Sequence, residues 1–197
     1  MIQNSGNVYE KVFGLIENKG ITLLDCGAGD GSFCKDAIKK GYKPSACGYE
    51  DLHIKNIPFK KVDLNKEVIP YGDATFDIVT AIELIEHLQN PFHLIRELNR
   101  VCKKDGYVII STPNTANWYY RLYYLLFGKL IGFDKNNGYS LDHIMPIHAE
   151  IFDPYLQIYF DLITITTNRS FIPLLRINIP IDHNLFGDSR IIMLRKK

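Results

Sequence analysis

The chain lacks any strong imbalance of charge. Its 23 lysines and arginines stand against 22 aspartates and glutamates, a formal net charge of +1. Such a balance supplies no whole-molecule field for nucleic acid or an anionic membrane. The basic clusters Lys60-Lys61, Lys103-Lys104 and Arg195-Lys196-Lys197 are short and read as solvated faces. None of the four cysteines, Cys26, Cys34, Cys47 and Cys102, stands in a Cys-x-x-Cys pair. A structural zinc built from them is therefore disfavoured, and they read as reduced, mostly buried thiols of a cytoplasmic protein. The N-terminus has no basic-then-apolar secretion pattern. No apolar run reaches the roughly twenty residues of a membrane span. Internal repeats and low-complexity tracts are absent as well. The 197 residues are 46% hydrophobic, enough for one good core, so a single domain over 1–197 is expected.

The periodicity alternates between strand and helix, the pattern of an α/β fold with a largely parallel sheet. Val8, Tyr9, Val12, Phe13 and Ile16 predict a helix over about 7–19. Strands are expected at 21–25, 45–50, 59–62, 76–80, 107–110, 162–167 and 190–194. Helices are expected to start at Phe33 and at Pro91. The Pro91 helix should turn Phe92, Ile95, Leu98, Asn99 and Cys102 inward and Arg96, Glu97, Arg100 and Lys103 outward, and should end at Lys104-Asp105-Gly106. Only about thirteen residues separate Glu50 from Asp63, too few for a full crossover helix.

The densest information lies in Leu23-Leu24-Asp25-Cys26-Gly27-Ala28-Gly29-Asp30-Gly31. A strand ends in an acid, and three alternating glycines then let the backbone turn tightly with no side chains between main chain and ligand. The spacing is Gly-x-Gly-x-Gly. The dinucleotide fingerprint Gly-x-Gly-x-x-Gly is missing, which disfavours nicotinamide or flavin cofactors. About twenty residues later Glu50 closes Cys47-Gly48-Tyr49-Glu50, where a carboxylate can accept from two ribose hydroxyls. Asp51 is the neighbouring alternative. Asp63-Leu64 ends the third strand, and its acid either faces a base or caps the turn into Asn65.

These residues, with Phe76 to Leu88 and Gly106 to Asn114, resemble the class I S-adenosylmethionine (SAM) methyltransferases over about 21–115. The resemblance implies a Rossmann-like three-layer α/β/α sandwich, with a seven-stranded, mostly parallel sheet in the order 3-2-1-4-5-7-6. It places SAM across Asp25, Cys26, Gly27, Ala28, Gly29 and Gly31 for the methionine half, Glu50 for the ribose, Asp63 and Leu64 for the adenine, and Ala81 and Ile82 at the fourth strand.

Glu83, Glu86 and His87 stand at i, i+3 and i+4, one face of a helix if the stretch is helical. Carboxylates and imidazole suit magnesium, manganese or zinc, with His143 as a fourth ligand and His148 as a weaker candidate. The Glu-x-x-Glu-His pattern with a later histidine resembles metal-dependent O-methyltransferases of small-RNA 3′ ends, and its first part those of the ubiquinone pathway. Two other readings stand beside the metal one: Glu86, His87 or His143 as metal-free acid/base groups, and a purely structural role.

Residues 115–150 are expected to form an aromatic helical lid that selects the acceptor. Trp118 to Ile131 is apolar nearly all round, a helix that must be covered by the protein's own lid, a second copy in a homodimer, or a lipid-linked substrate. Gly132 to Gly138 reads as a loop leading into His143, Asp153-Pro154 as a helix start, and 171–189 as a long connection. The stretch after Asn114 resembles methyltransferases of bacterial glycan biosynthesis. The expected activity is methyl transfer from SAM to a small-molecule or glycan-precursor acceptor, most simply at oxygen. RNA 3′ ends or catechol-like acceptors are the alternative, and a non-catalytic SAM-binding partner subunit is the alternative of another class. Charge-assisted hydrogen bonds contribute about 1.5–3 kcal/mol each, so Glu50→Ala should weaken SAM binding about tenfold or more in a calorimetric titration.

Overall fold

Four strands carry adjacent apolar pairs: Leu23-Leu24, Ile78-Val79, Ile109-Ile110 and Ile191-Ile192. Successive side chains on a strand point to opposite faces, so each pair feeds two cores. Leu23, Ile78, Ile109 and Ile191 pack with Val8, Val12, Phe13 and Phe33 on one side. Leu24, Val79, Ile110 and Ile192 pack with Leu94, Ile95, Leu98 and Phe152 on the other. The two clusters make the three layers.

The computed structural model describes residues 5–16, 21–50, 56–133, 143–168, 170–172, 177–179 and 185–197. In chain order the elements are α1 (Ser5–Leu15), β1 (Thr22–Cys26), α2 (Ser32–Lys39), β2 (Lys43–Gly48), β3 (Phe59–Lys61), β4 (Phe76–Ile82), a 3-10 turn (Ile85–His87), α3 (Pro91–Val101) and β5 (Cys102–Pro113). Then come α4 (Trp118–Phe127), α5 (Ala149–Tyr159), β6 (Phe160–Thr167), β7 (Ser170–Ile172), β8 (Ile177–Ile179) and β9 (Ser189–Lys196). The large sheet runs β3-β2-β1-β4-β5-β9-β6, which is 3-2-1-4-5-7-6 when its own strands are counted. Its first five strands pair in parallel, and β9 is antiparallel to both β5 and β6. This topology brings the C-terminal ends of β1, β2 and β4 side by side, where ligands of such sheets bind.

Several expectations shift. The Pro91 helix starts as read, with Asn90 accepting from the His93 amide and Pro91 in the first turn. It ends at Val101, and β5 begins at once. Lys104-Asp105-Gly106 therefore lies inside a strand, where Asp105 takes a φ of 60° and the pairing with β4 slips between Phe76 and Ile78. Glu97 turns inward, contrary to its expected face. It accepts from the Ile69 amide at 2.8 Å and from Arg100, and Arg100 also holds the Ile69 and Tyr71 carbonyls, so a charged pair folds the 69–73 loop onto α3.

The helix expected from Asp153-Pro154 begins earlier, at Ala149, with Pro154 inside it; Arg190 grips Asp153 through its two terminal guanidinium nitrogens. Part of the 171–189 connection is a hairpin, β7 paired with β8. Residues 17–20 of the expected first helix, Asp51, Asp142 and the loop 134–138 lie outside the described residues. Those described between β2 and β3 contain no helix.

Near the start of β9 the chain passes very close to β6. A Cβ built on Gly187 would lie 2.2 Å from the Thr167 Cβ, while the Gly187 carbonyl accepts from the Asn114 amide side chain. Gly187→Ala should therefore cost about 1–3 kcal/mol through overpacking, read as a drop of several degrees in Tm.

Candidate active site

β1 delivers Asp25 and Cys26 buried at the strand end, and the chain then turns through Gly27, Gly29 and Gly31 at φ of 75°, 51° and 73°. Side-chain-bearing residues rarely adopt that region. At Gly27 there is a second constraint, because an added Cβ would lie 2.7 Å from Leu84 Cδ1. The loop is pinned by the Gly27 amide donating to the Cys47 carbonyl and the Gly31 amide to Ala28, both at 2.8 Å. Asp30 accepts from the Ser32 amide and hydroxyl, closing an Asx turn at the entrance to α2, and is held below the usual carboxylate range by these bonds.

Beneath the loop, Asp25 accepts from the Thr80 hydroxyl at 2.9 Å and from the Cys34 thiol. Burial outweighs both bonds and raises its pKa to about 7. Ala28 and Ala81 are buried, and Ile82 half-buried, at the neighbouring strand ends. Glu50 is exposed just beyond β2. Leu64 is buried. Asp63 has local work: its carboxylate accepts from the Asn65 amide at 3.0 Å and pairs with Lys66, so it caps the turn into Asn65.

The second half of the site departs from helical spacing. Glu83 sits one residue past β4 in the left-handed region, at φ 48°, and only Ile85–His87 forms a single 3-10 turn. Its amide donates to Ser111 Oγ, which donates back to Glu83 Oε1 at 2.8 Å. Ser189 also reaches the carboxylate. Glu83 thus ties β4 to β5 and β9 and does not join the other three predicted ligands.

Glu86, His87 and His143 do come together, with donor atoms all within 4.8 Å of one another. His87 Nε2 lies 4.0 Å and His143 Nε2 3.9 Å from Glu86 Oε1, and the imidazole centroids are 4.7 Å apart. The Glu86 side chain is 0% exposed. Neither carboxylate oxygen has a hydrogen-bond partner among the described residues. Burial, and then the nearby Glu83 charge, push its pKa well above the ordinary value. His143 reaches the group because the Ile144 and Met145 amides both donate to the Glu86 carbonyl, at 2.9 and 3.0 Å. The Phe133 ring rests 5.4 Å from that of His143. His148 is exposed at the start of α5 and lies outside the group. Ser111, Thr112, Ser189 and Phe133 carry no spacing signal, since they reach the site from separate elements.

Leu84 joins the two halves, covering Gly27 two residues before Glu86. A glycine cradle at the head of a Rossmann-like sheet, with an acid-histidine group at the end of β4, defines a nucleoside-cofactor enzyme. The chain matches the family described as a methyltransferase domain over residues 8–155, and it belongs to that family, among the class I SAM-dependent methyltransferases. It is 27% identical over 130 residues to the ubiquinone biosynthesis O-methyltransferase of Yersinia enterocolitica, a match covering 60% of this chain and 50% of that protein. The chain thus spans about half the length of the curated relatives it matches. Among solved structures, SAM-dependent methyltransferases from Archaeoglobus fulgidus and Thermotoga maritima share the fold. Each has a TM-score of 0.73 at 17% identity, covering 98% and 96% of this chain and 93% and 87% of theirs.

The raised Asp25 pKa has a sign. The folded state holds its proton up to about 7 and the unfolded chain only to 3.8, so that contribution is full below 3.8 and is lost as pH rises through 7. Asp25→Asn should gain Tm relative to the ligand-free parent as pH rises across that window, checked by thermal melts at several pH values.

Proposed function

We propose that this protein transfers the methyl group of SAM to an oxygen of a small-molecule or saccharide-like acceptor. The observation that carries the reading is the Glu86 carboxylate, wholly buried, with both oxygens lacking hydrogen-bond partners among the described residues and two imidazoles about 4 Å away. A buried carboxylate that no donor hydrogen-bonds is costly to ionise. A divalent cation suits this donor set, since carboxylate and imidazole together are common ligands of magnesium, manganese and zinc. Glu86, His87 and His143 would hold it. Such an ion supplies positive charge that lowers the pKa of an acceptor hydroxyl.

The rest of the chemistry belongs to the chain. Methyl transfer is an in-line displacement at carbon, in which the acceptor oxygen forms a bond to the methyl carbon as the sulfonium C–S bond breaks and its electron pair returns to sulfur. Alignment and exclusion of water are the main requirements. The glycine loop and Glu50 would hold the cofactor, and Leu84 and Phe133 would border the methyl; with an ion in place the acidified hydroxyl would release its proton to solvent, and without one His87 or His143 would take it. The relative's name, an O-methyltransferase, supports oxygen as the acceptor atom. The near-neutral charge weighs against RNA. A cytoplasmic location is part of the same proposal. No described helix is long and apolar enough to cross a membrane.

Labelled SAM incubated with fractionated cell extract should move its methyl into a small, hydroxyl-bearing product. Activity should fall with EDTA and return with a divalent cation, and Glu86→Gln should lose about 100-fold or more in kcat. Transfer indifferent to EDTA, by protein free of metal on elemental analysis, would leave the histidines as the acid/base pair without an ion. Absence of transfer to any fraction would favour a SAM-binding partner subunit.

A further inference from the structure

Of the three covers open to the aromatic helix, the chain's own lid is not the one found: α4, Trp-Tyr-Tyr-Arg-Leu-Tyr-Tyr-Leu-Leu-Phe, has no buried residue. It is nevertheless well made. Asn117 accepts from the Tyr120 amide at 2.8 Å and itself holds the Gly187 carbonyl, and Gly128 ends the helix in the left-handed region at φ 66°. The exposure is concentrated at its far end, where Leu125, Leu126 and Phe127 are 80%, 64% and 61% exposed. Three consecutive helical residues point in three directions, so the apolar surface wraps the tip. A partner helix or groove covers a stripe; an apolar tip exposed on several sides suits a medium that surrounds it.

Charge and side-chain type indicate which medium. Although the chain is nearly neutral overall, residues 115–133 contain no aspartate or glutamate, while Arg121 and Lys129 stand exposed on and just after the helix. That local sign complements anionic headgroups. Trp118 and four tyrosines supply rings with an apolar body and a polar tip, the side chains that favour a membrane-water boundary. The helix is too short to span, and its composition suits immersion at the interface. We infer that α4 docks this protein onto an anionic lipid bilayer, with Leu125, Leu126 and Phe127 in the acyl boundary and Arg121 and Lys129 among the headgroups. In the segment that follows, Gly132 and Phe133 lie against His143, so docking brings the acceptor side of the site to the lipid surface.

The chain provides its own probe, because Trp118 is its single tryptophan and opens α4. With the full chain and vesicles of phosphatidylglycerol in phosphatidylcholine, the protein should co-sediment and Trp118 emission should shift to the blue, with weaker effects on pure phosphatidylcholine. Leu125→Glu with Phe127→Glu, both at exposed positions, should keep the parent Tm and SAM affinity while lowering partition about tenfold or more. Arg121→Glu with Lys129→Glu should remove the preference for the anionic lipid. The inference is overturned by absence of co-sedimentation and shift, or by undiminished binding of the Leu125/Phe127 variant. It is equally overturned if the free protein self-associates in sedimentation velocity in a way that variant abolishes while vesicles capture neither, which would assign the face to a second copy. SAM titration is read separately, so loss of lipid binding and failure of the methyltransferase reading are distinguishable.

Discussion

The constraint on which the site depends is the desolvation of one carboxylate. Glu86 is withdrawn from water with both side-chain oxygens lacking hydrogen-bond partners among the described residues, an arrangement that costs several kcal/mol in isolation by general transfer energetics (~2–7 kcal/mol for a neutral polar group, more for a charge). It is tolerated because the surrounding structure holds it rigidly. Glu83 turns the chain through a left-handed conformation and is tied to Ser111. The Glu86 carbonyl clamps two amides of the His143–Met145 segment. The backbone that brings His143 to the carboxylate is therefore held by the very residue whose side chain needs a cation or a proton.

The cofactor side shows the complementary economy. Gly27 must be bare both because of its φ and because Leu84 occupies the space of a Cβ. Leu84 leads into the turn that carries Glu86, so the cradle and the acid-histidine group are braced against each other. Asp25, raised to about 7 by burial, lies directly below. Both halves thus contain a carboxylate whose charged form the fold resists, and a cationic ligand at the cleft, a sulfonium or a metal ion, relieves that opposition.

Much of this was legible in the residues. Most strand positions, the sheet order, the glycine loop, Glu50 just beyond β2 and the meeting of Glu86, His87 and His143 follow from local patterns or from the family resemblance those patterns carry. The errors share one cause. Glu83 looked helical because i, i+3, i+4 spacing cannot register a single left-handed residue. Glu97 looked solvent-facing because its partners, the Ile69 amide and Arg100, include one nearly thirty residues away. The start of β5 was hidden because Lys103 to Asp105 have no strand character of their own and are drawn in by pairing with β4.

α4 marks the boundary between the two kinds of information. Composition alone established that Trp118 to Ile131 is a helix-like stretch too apolar for water; its cap at Asn117 and its stop at Gly128 belong to the folded chain. Whether anything in the chain covers it depends on where the sheet ends and which way β5 projects it, a matter of three-dimensional placement. Local propensity and period are properties of neighbours in sequence, and they determined the elements, their order and the chemistry of the cleft. Burial, the direction of Glu83 and the distance from Glu86 to His143 arise from contacts between residues tens of positions apart, and only the tertiary structure decided them.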